Sequence, residues 1–192
     1  DRSVATEPPL PDSIESVDEL YLTGEHLEQY RHPTRYPEPY WKAGLERDPE
    51  DSRCNIALGR TKLAKGLFTE AVQHLEIAIK RLTFRHPNPE TGEAHYFLGL
   101  ALRYTGQYER AYALFYKATW NYAGRGQSYV ELACLDMRKG DFDTAIGHLE
   151  ASFETLAENN KAHVAKAICL RKLGRSDEAE HVLNNLRQKD RL

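Results

Sequence analysis

The side chains with most chemical potential are eight histidines and three cysteines, Cys54, Cys134 and Cys169. Imidazoles and thiolates build metal sites when they recur on one helical face four residues apart, or in an HExxH box. His26, His32, His74, His86, His95, His148, His163 and His181 form no such pair with each other or with a cysteine. No metal site is expected, and His95 and His163 read as packing residues. The odd, widely spaced cysteines read as small buried thiols of a reducing compartment, which places the chain in the cytoplasm. Carboxylates cluster at Glu7 and Asp12, at Asp48, Glu50 and Asp51, and at Asp141 and Asp143. These are places where helix starts need an acceptor or an anion. Gly124-Arg125-Gly126 is not a phosphate loop, and no nucleophile motif accompanies it. The expectation is a chain that is not an enzyme, with no catalytic residue, no cofactor and no metal.

More suggestive are Arg53, Arg60, Arg103, Arg138, Arg171 and Lys172, with Tyr96 and Tyr104 beside Arg103. Guanidinium forks and tyrosine rings together make good recognition surfaces. What they can recognise depends on the elements that hold them. Thr105-Gly106-Gln107 separates two apolar-periodic stretches, and similar turns stand at Gly66, Gly140 and Gly174. The four glycines are spaced by 40, 34 and 34 residues, a helix-turn-helix period. Around them recur Phe68, Ala71, Leu75 and Ala78; Tyr108, Ala111, Phe115 and Ala118; Phe142, Ala145 and Leu149; Ala179, Leu183 and Leu186. Gly59, Gly99, Ala133 and Ala167 hold the place where two paired helices approach closely, with Ala71, Ala111, Ala145 and Ala179 opposite. Segment 83–90 accounts for the longer first interval.

Upstream, Ser16 and Glu19 form a capping box for a helix carrying Val17, Leu20, Gly24 and Leu27. His32-Pro33 to Pro37 ends that helix, and a second, from Glu38 to Arg47, closes at Asp48-Pro49. The Pro8-Pro9-Leu10-Pro11 stretch makes residues 1–15 a linker or tail. The aromatics of Tyr40-Trp41 and Trp120-Asn121-Tyr122 read as core between repeats.

This pattern resembles the tetratricopeptide repeat family. The resemblance implies an all-α fold, a right-handed α-solenoid of about five helix pairs. Its repeats span about 17–50, 52–85, 92–123, 126–158 and 160–189, within a domain of residues 16–192. It also implies that the first helices line a concave groove for a partner segment. The family's groove positions fall on Arg53, Ile56, Arg60 and Leu63; on Glu93, Tyr96, Leu100, Arg103 and Tyr104; on Gln127, Val130, Cys134, Met137 and Arg138; and on Lys161, Val164, Ile168, Arg171 and Lys172. The family's clamp for chaperone C-termini needs a lysine and, four residues on, an asparagine. Ile56 and Arg60 stand there instead, and Asn55 is one place off, so chaperone-tail binding is not expected. More narrowly, 21–32, 51–55 and 115–121 resemble large bacterial repeat proteins that carry an uncharacterised β-rich domain and are associated with carbohydrate metabolism. That likeness implies an internal piece of a longer chain, as does an opening without methionine.

The expected function is a non-enzymatic scaffold that binds a protein or peptide partner, or a neighbouring domain, in the groove. The alternative is an accessory helical domain contributing to a carbohydrate-related site built mostly elsewhere. Tyr30, Arg31 and His32, at a proline-rich loop, form a candidate interdomain edge. Val182, Leu183 and Leu186 read as exposed on the last helix, where a second copy could pair. A net charge of −3, with both signs interspersed, gives no pull toward nucleic acid or anionic membrane. No apolar run approaches the ~20 residues of a membrane span.

Overall fold

The computed structural model describes residues 7–189. After a 3₁₀ turn at Pro11–Ser13 come ten α-helices: α1 (Val17–Tyr30), α2 (Glu38–Arg47), α3 (Ser52–Ala64), α4 (Phe68–Leu82), α5 (Glu93–Tyr104), α6 (Tyr108–Ala118), α7 (Tyr122–Lys139), α8 (Phe142–Ser152), α9 (Asn160–Lys172) and α10 (Ser176–Lys189). No strand occurs among the described residues. The helices pack as five consecutive pairs, α1 with α2 through α9 with α10, so the fold is all-α as expected. Two compact units part between Pro89 and Glu90.

Helix starts follow the polar residues that can accept a backbone amide. Ser16 accepts from the Glu19 amide, Asp51 from Cys54, Asn121 from Ala123, Asp141 from Thr144 and Asn159 from Ala162. Four of the five pairs turn through a glycine with φ between 76° and 83°: Gly66, Gly106, Gly140 and Gly174. A side chain is strained in that left-handed region, whereas glycine is not. The amide following each glycine returns to a carbonyl five residues back, as from Gln107 to Leu102 at 2.8 Å. That bond satisfies an orphan carbonyl of the preceding helix.

Within a pair, small residues let two backbones meet. A Cβ on Gly59 would stand 2.6 Å from Leu75, one on Gly99 2.7 Å from Phe115, and one on Gly24 2.3 Å from the Trp41 indole. Ala71, Ala111, Ala145 and Ala179 are fully buried on the second helices. In the first unit Leu20, Leu27 and Tyr40 form one core cluster and Trp41, Cys54 and Leu58 another. In the second unit Ala133, Leu149, Ala167 and Leu170 share one. Within the stretch read as linker, Ile14 is buried. The Tyr40 hydroxyl donates to the Pro9 carbonyl at 2.9 Å, and Arg47 donates to the Ile14 carbonyl at 2.6 Å.

Two packing expectations are corrected. Tyr40 and Trp41 are core, but Trp120 and Tyr122 are exposed. The reason is local: α6 ends at Ala118 and Asn121 caps α7, so Trp120 occupies the turn and Tyr122 the first helical position. The Tyr122 ring instead lies under the Arg125 guanidinium, 5.6 Å away. On α10, Val182 and Leu183 are not exposed but half-buried against the second unit's own core, and Leu186 is half-buried too.

The glycines make opposite predictions by site. Gly99→Ala, forced against Phe115, is expected to destabilise the chain by about 1–3 kcal/mol. Gly147→Ala, in an exposed helix interior with nothing within 4 Å, is expected to stabilise it by about 0.5–1 kcal/mol. Urea unfolding of the two variants checks both signs.

Candidate functional site

The first helices of the pairs are α1, α3, α5, α7 and α9, and three arginines on them, Arg53, Arg60 and Arg103, are answered by carboxylates of neighbouring helices. Arg53 on α3 reaches Asp18 of α1 at 2.5 Å and Asp51 at 2.8 Å, with its guanidinium 5.2 Å over the Tyr21 ring. Burial alone would raise the Asp51 carboxyl, but hydrogen bonds from Arg53 and the Cys54 amide hold it below the usual carboxylate range. Two turns along, Arg60 binds Glu25 at 3.1 Å and also Glu28. In the second unit Arg103 of α5 pairs with Glu131 of α7. Burial weakens the Arg103 charge, yet Glu131 more than restores it. The expected stripe of positive charge is therefore largely neutralised at Arg53, Arg60 and Arg103, each tied to a neighbouring first helix.

Arg138 and Arg171 differ. Arg138 lies 4.0 Å over the Tyr108 ring of α6, a cation–π contact rather than an ion pair. Arg171 stands 3.7 Å from Glu180 with both side chains more than half exposed, an arrangement worth little. Tyr104 is exposed, under Arg103 at 5.5 Å. Tyr96 packs on Phe97 and Phe115, ring centres 5.5 and 6.0 Å away, and burial pushes its hydroxyl up to about 12. Arg53 and Arg60 belong to the first unit; Tyr96, Arg103, Tyr104, Arg138 and Arg171 belong to the second. A pocket of about 520 Å³ opens where α5 and α7 begin, lined by Gly92, Glu93, Tyr96, Phe97, Asn121 and Gln127.

At the N-terminal edge, Tyr30 is exposed and its ring tilts against His26 at 4.5 Å. Arg31 takes the left-handed conformation that ends α1, φ 49°. The His32 Nδ1 accepts the Arg35 amide at 3.2 Å.

Among the apolar positions named for the groove, those on α9 are the more exposed. Val164 and Ile168 of α9 are 42% and 44% exposed, with Val130 and Met137 of α7 half-buried against the same core. The acidic partners of the arginines are what sequence reasoning missed. Their one signal is separation: Glu25 stands 35 residues from Arg60 and Glu131 stands 28 from Arg103, close to one repeat period.

Asn55 is fully buried. Its amide donates to the Pro49 and Asp51 carbonyls, and its Oδ1 lies 2.9 Å from the His74 Nδ1, so it presents nothing to a ligand. His148 bonds the buried Asp136 at 2.7 Å and stacks on Tyr129, and His163 stacks on Phe153 at 4.0 Å. The three cysteines are free, and burial pushes the Cys54 thiol up to about 12. Among the described residues no three histidine, cysteine or acidic side chains stand where they could hold a metal. No described helix is long and apolar enough to cross a membrane.

Fold and surface thus define a series of helix hairpins whose first helices carry exposed aromatic, aliphatic and basic side chains. Tetratricopeptide repeat models match residues 56–127 and 136–192, and the chain belongs to that family. Human DnaJ homolog subfamily C member 7 is 25% identical over 194 residues, covering 97% of this chain and 39% of the relative. The mouse protein of that name is 24% identical over the same shares. The chain spans about two-fifths of the length of these curated relatives. A MamA structure superposes with a TM-score of 0.73 at 19% identity, covering 91% of this chain and 92% of that one. YrrB, described as a TPR protein with an unusual peptide-binding site, gives 0.70 at 16% identity over 91% and 87%. These structural likenesses show the fold. None of these relatives supports the narrower resemblance to carbohydrate-associated bacterial proteins.

His95 yields a pH test. It is 2% exposed, and burial, helped by the Lys117 charge, pushes its imidazole down from 6.5 to about 4. Between those values the unfolded chain takes up a proton that the folded chain refuses, so stability falls as the pH falls through this window. Above pH ~6.5 the contribution is fully present. His95→Leu is expected to flatten the change in unfolding free energy between pH 7 and 5, by about 1–3 kcal/mol. An unchanged slope in urea titrations contradicts the assignment.

Proposed function

We propose that this chain is a non-enzymatic scaffold that recognises a segment of a partner protein on the first helices of its pairs. One observation carries the reading: in the second unit those helices leave Tyr104, Val164 and Ile168 between 42% and 56% exposed. Rigid aromatic and β-branched surface of this kind binds at low entropic cost. Tyr96, Tyr104, Arg138 and Arg171 are the contact residues of the second unit, with Arg103 there and Arg53 and Arg60 in the first unit supporting the same helix faces. Where an arginine is already paired, its role toward a ligand is to hold the helix face in place. Tetratricopeptide chains typically act as scaffolds, and the YrrB description names a peptide-binding site. Three free thiols suit a reducing compartment such as the cytoplasm. The edge at Tyr30, Arg31 and His32 is a second contact surface, for a neighbouring domain, favoured by the exposed Tyr30 ring.

Selection of random peptides on the intact chain, followed by fluorescence anisotropy, tests the reading. Tyr104→Ala and Arg138→Ala are expected to weaken selected peptides about tenfold. Tyr116→Ala, an exposed second-helix tyrosine, is expected to leave them unchanged. Failure to select any peptide, or loss only in the Tyr116 variant, contradicts it.

A further inference from the structure

Resting on that reading, we infer that α9 takes an acidic amphipathic segment of the partner: two apolar side chains flanked by carboxylates. From Asn160 to Lys172 this helix carries four cations and no carboxylate. At 100° per residue Lys161, Val164, Ile168, Arg171 and Lys172 fall within about a third of the circumference. The opposite arc, Ala162, Ala167, Cys169 and Leu170, is buried. The outward arc is thus an apolar centre, Val164 and Ile168 one turn apart, with cations at both ends.

The state of those cations separates α9 from the other first helices. Arg53, Arg60 and Arg103 are held by carboxylates of neighbouring helices. Lys166 lies off the exposed arc, bonded to Glu150 at 2.7 Å. Lys161 and Lys172 have no ion pair among the described residues, and Arg171 has only its long, exposed contact with Glu180. Lys161 also sits in the first turn, where the helix dipole disfavours a cation. Helix stability does not explain its placement; an anionic ligand does.

Geometry sets the ligand's scale. Eleven helical steps, about 16 Å, lead from Lys161 to Lys172. A helical segment of about ten residues spans that distance with its carboxylates at the two ends and its apolar pair over Val164 and Ile168. Burial of the apolar pair supplies affinity, and the end charges supply orientation and salt sensitivity.

The test uses the intact chain and a labelled peptide of about ten residues, with two leucines four apart and two glutamates at each end. Two control peptides replace the glutamates by lysines or the leucines by serines. The acidic apolar probe is expected to bind at least about tenfold tighter than either control. Ile168→Ser and the double variant Lys161→Glu/Lys172→Glu are expected to cost it about tenfold, and the double variant to favour the lysine peptide. These positions are exposed, and thermal melting by circular dichroism verifies that the variants fold. Equal binding of all three peptides, variants that bind like the parent, or capture by phosphatidylserine vesicles instead of the probe overturns the inference. If library selection yields first-helix binders that are neither acidic nor apolar, the inference fails and the scaffold reading stands. If selection yields none, both fail.

Discussion

Everything in this fold depends on two helices being allowed to touch. The contact of Gly59 with Leu75, and of Gly99 with Phe115, leaves no room for a Cβ, and a left-handed glycine at four of the five inner turns brings the second helix back onto the first. Close-packed interiors punish even one added methyl group, so these positions fix the register of each hairpin. Once register is fixed, the outward face of every first helix is fixed with it. Which side chains face outward thus follows from packing at residues buried inside each hairpin.

Charge on those outward faces serves two ends. In the first unit Arg53 and Arg60 reach back to Asp18, Glu25 and Glu28 on α1, and in the second unit Arg103 reaches Glu131. A guanidinium shared this way ties one hairpin to the next while keeping its own desolvation in check. Near the C-terminal end of the second unit the pattern changes. Among the described residues Lys161 and Lys172 have no ion pair, and they stand beside the exposed Val164 and Ile168, the surface inferred to take an anionic, apolar segment.

Much of the fold is legible in the sequence, because its signals are local and repeated. Pro37, Pro39 and Asp48-Pro49 bracket α2 at Glu38–Arg47, and the turn glycines mark four of the hairpins. Ser16 caps α1 as its spacing from Glu19 implies. The site is less legible. Repeat position says which helix face Arg103 occupies, but not that Glu131 of α7 comes within reach, since stacking alone brings them together. Trp120 and Tyr122 show the same gap: bulk and aromaticity suggest core, while the cap at Asn121 puts them outside. Periodicity specifies faces; partners across repeats come from the tertiary arrangement.

The central claim is that first-helix arginines paired to carboxylates are structural, leaving recognition to the exposed apolar surface and the cations beside it. A double-mutant cycle in urea unfolding, with Arg103→Met, Glu131→Gln and both together, tests it most directly. The account predicts a coupling of about 0.5–1 kcal/mol that shrinks with added salt. Strictly additive effects would contradict it, returning Arg103 to the pool of charges available to a ligand.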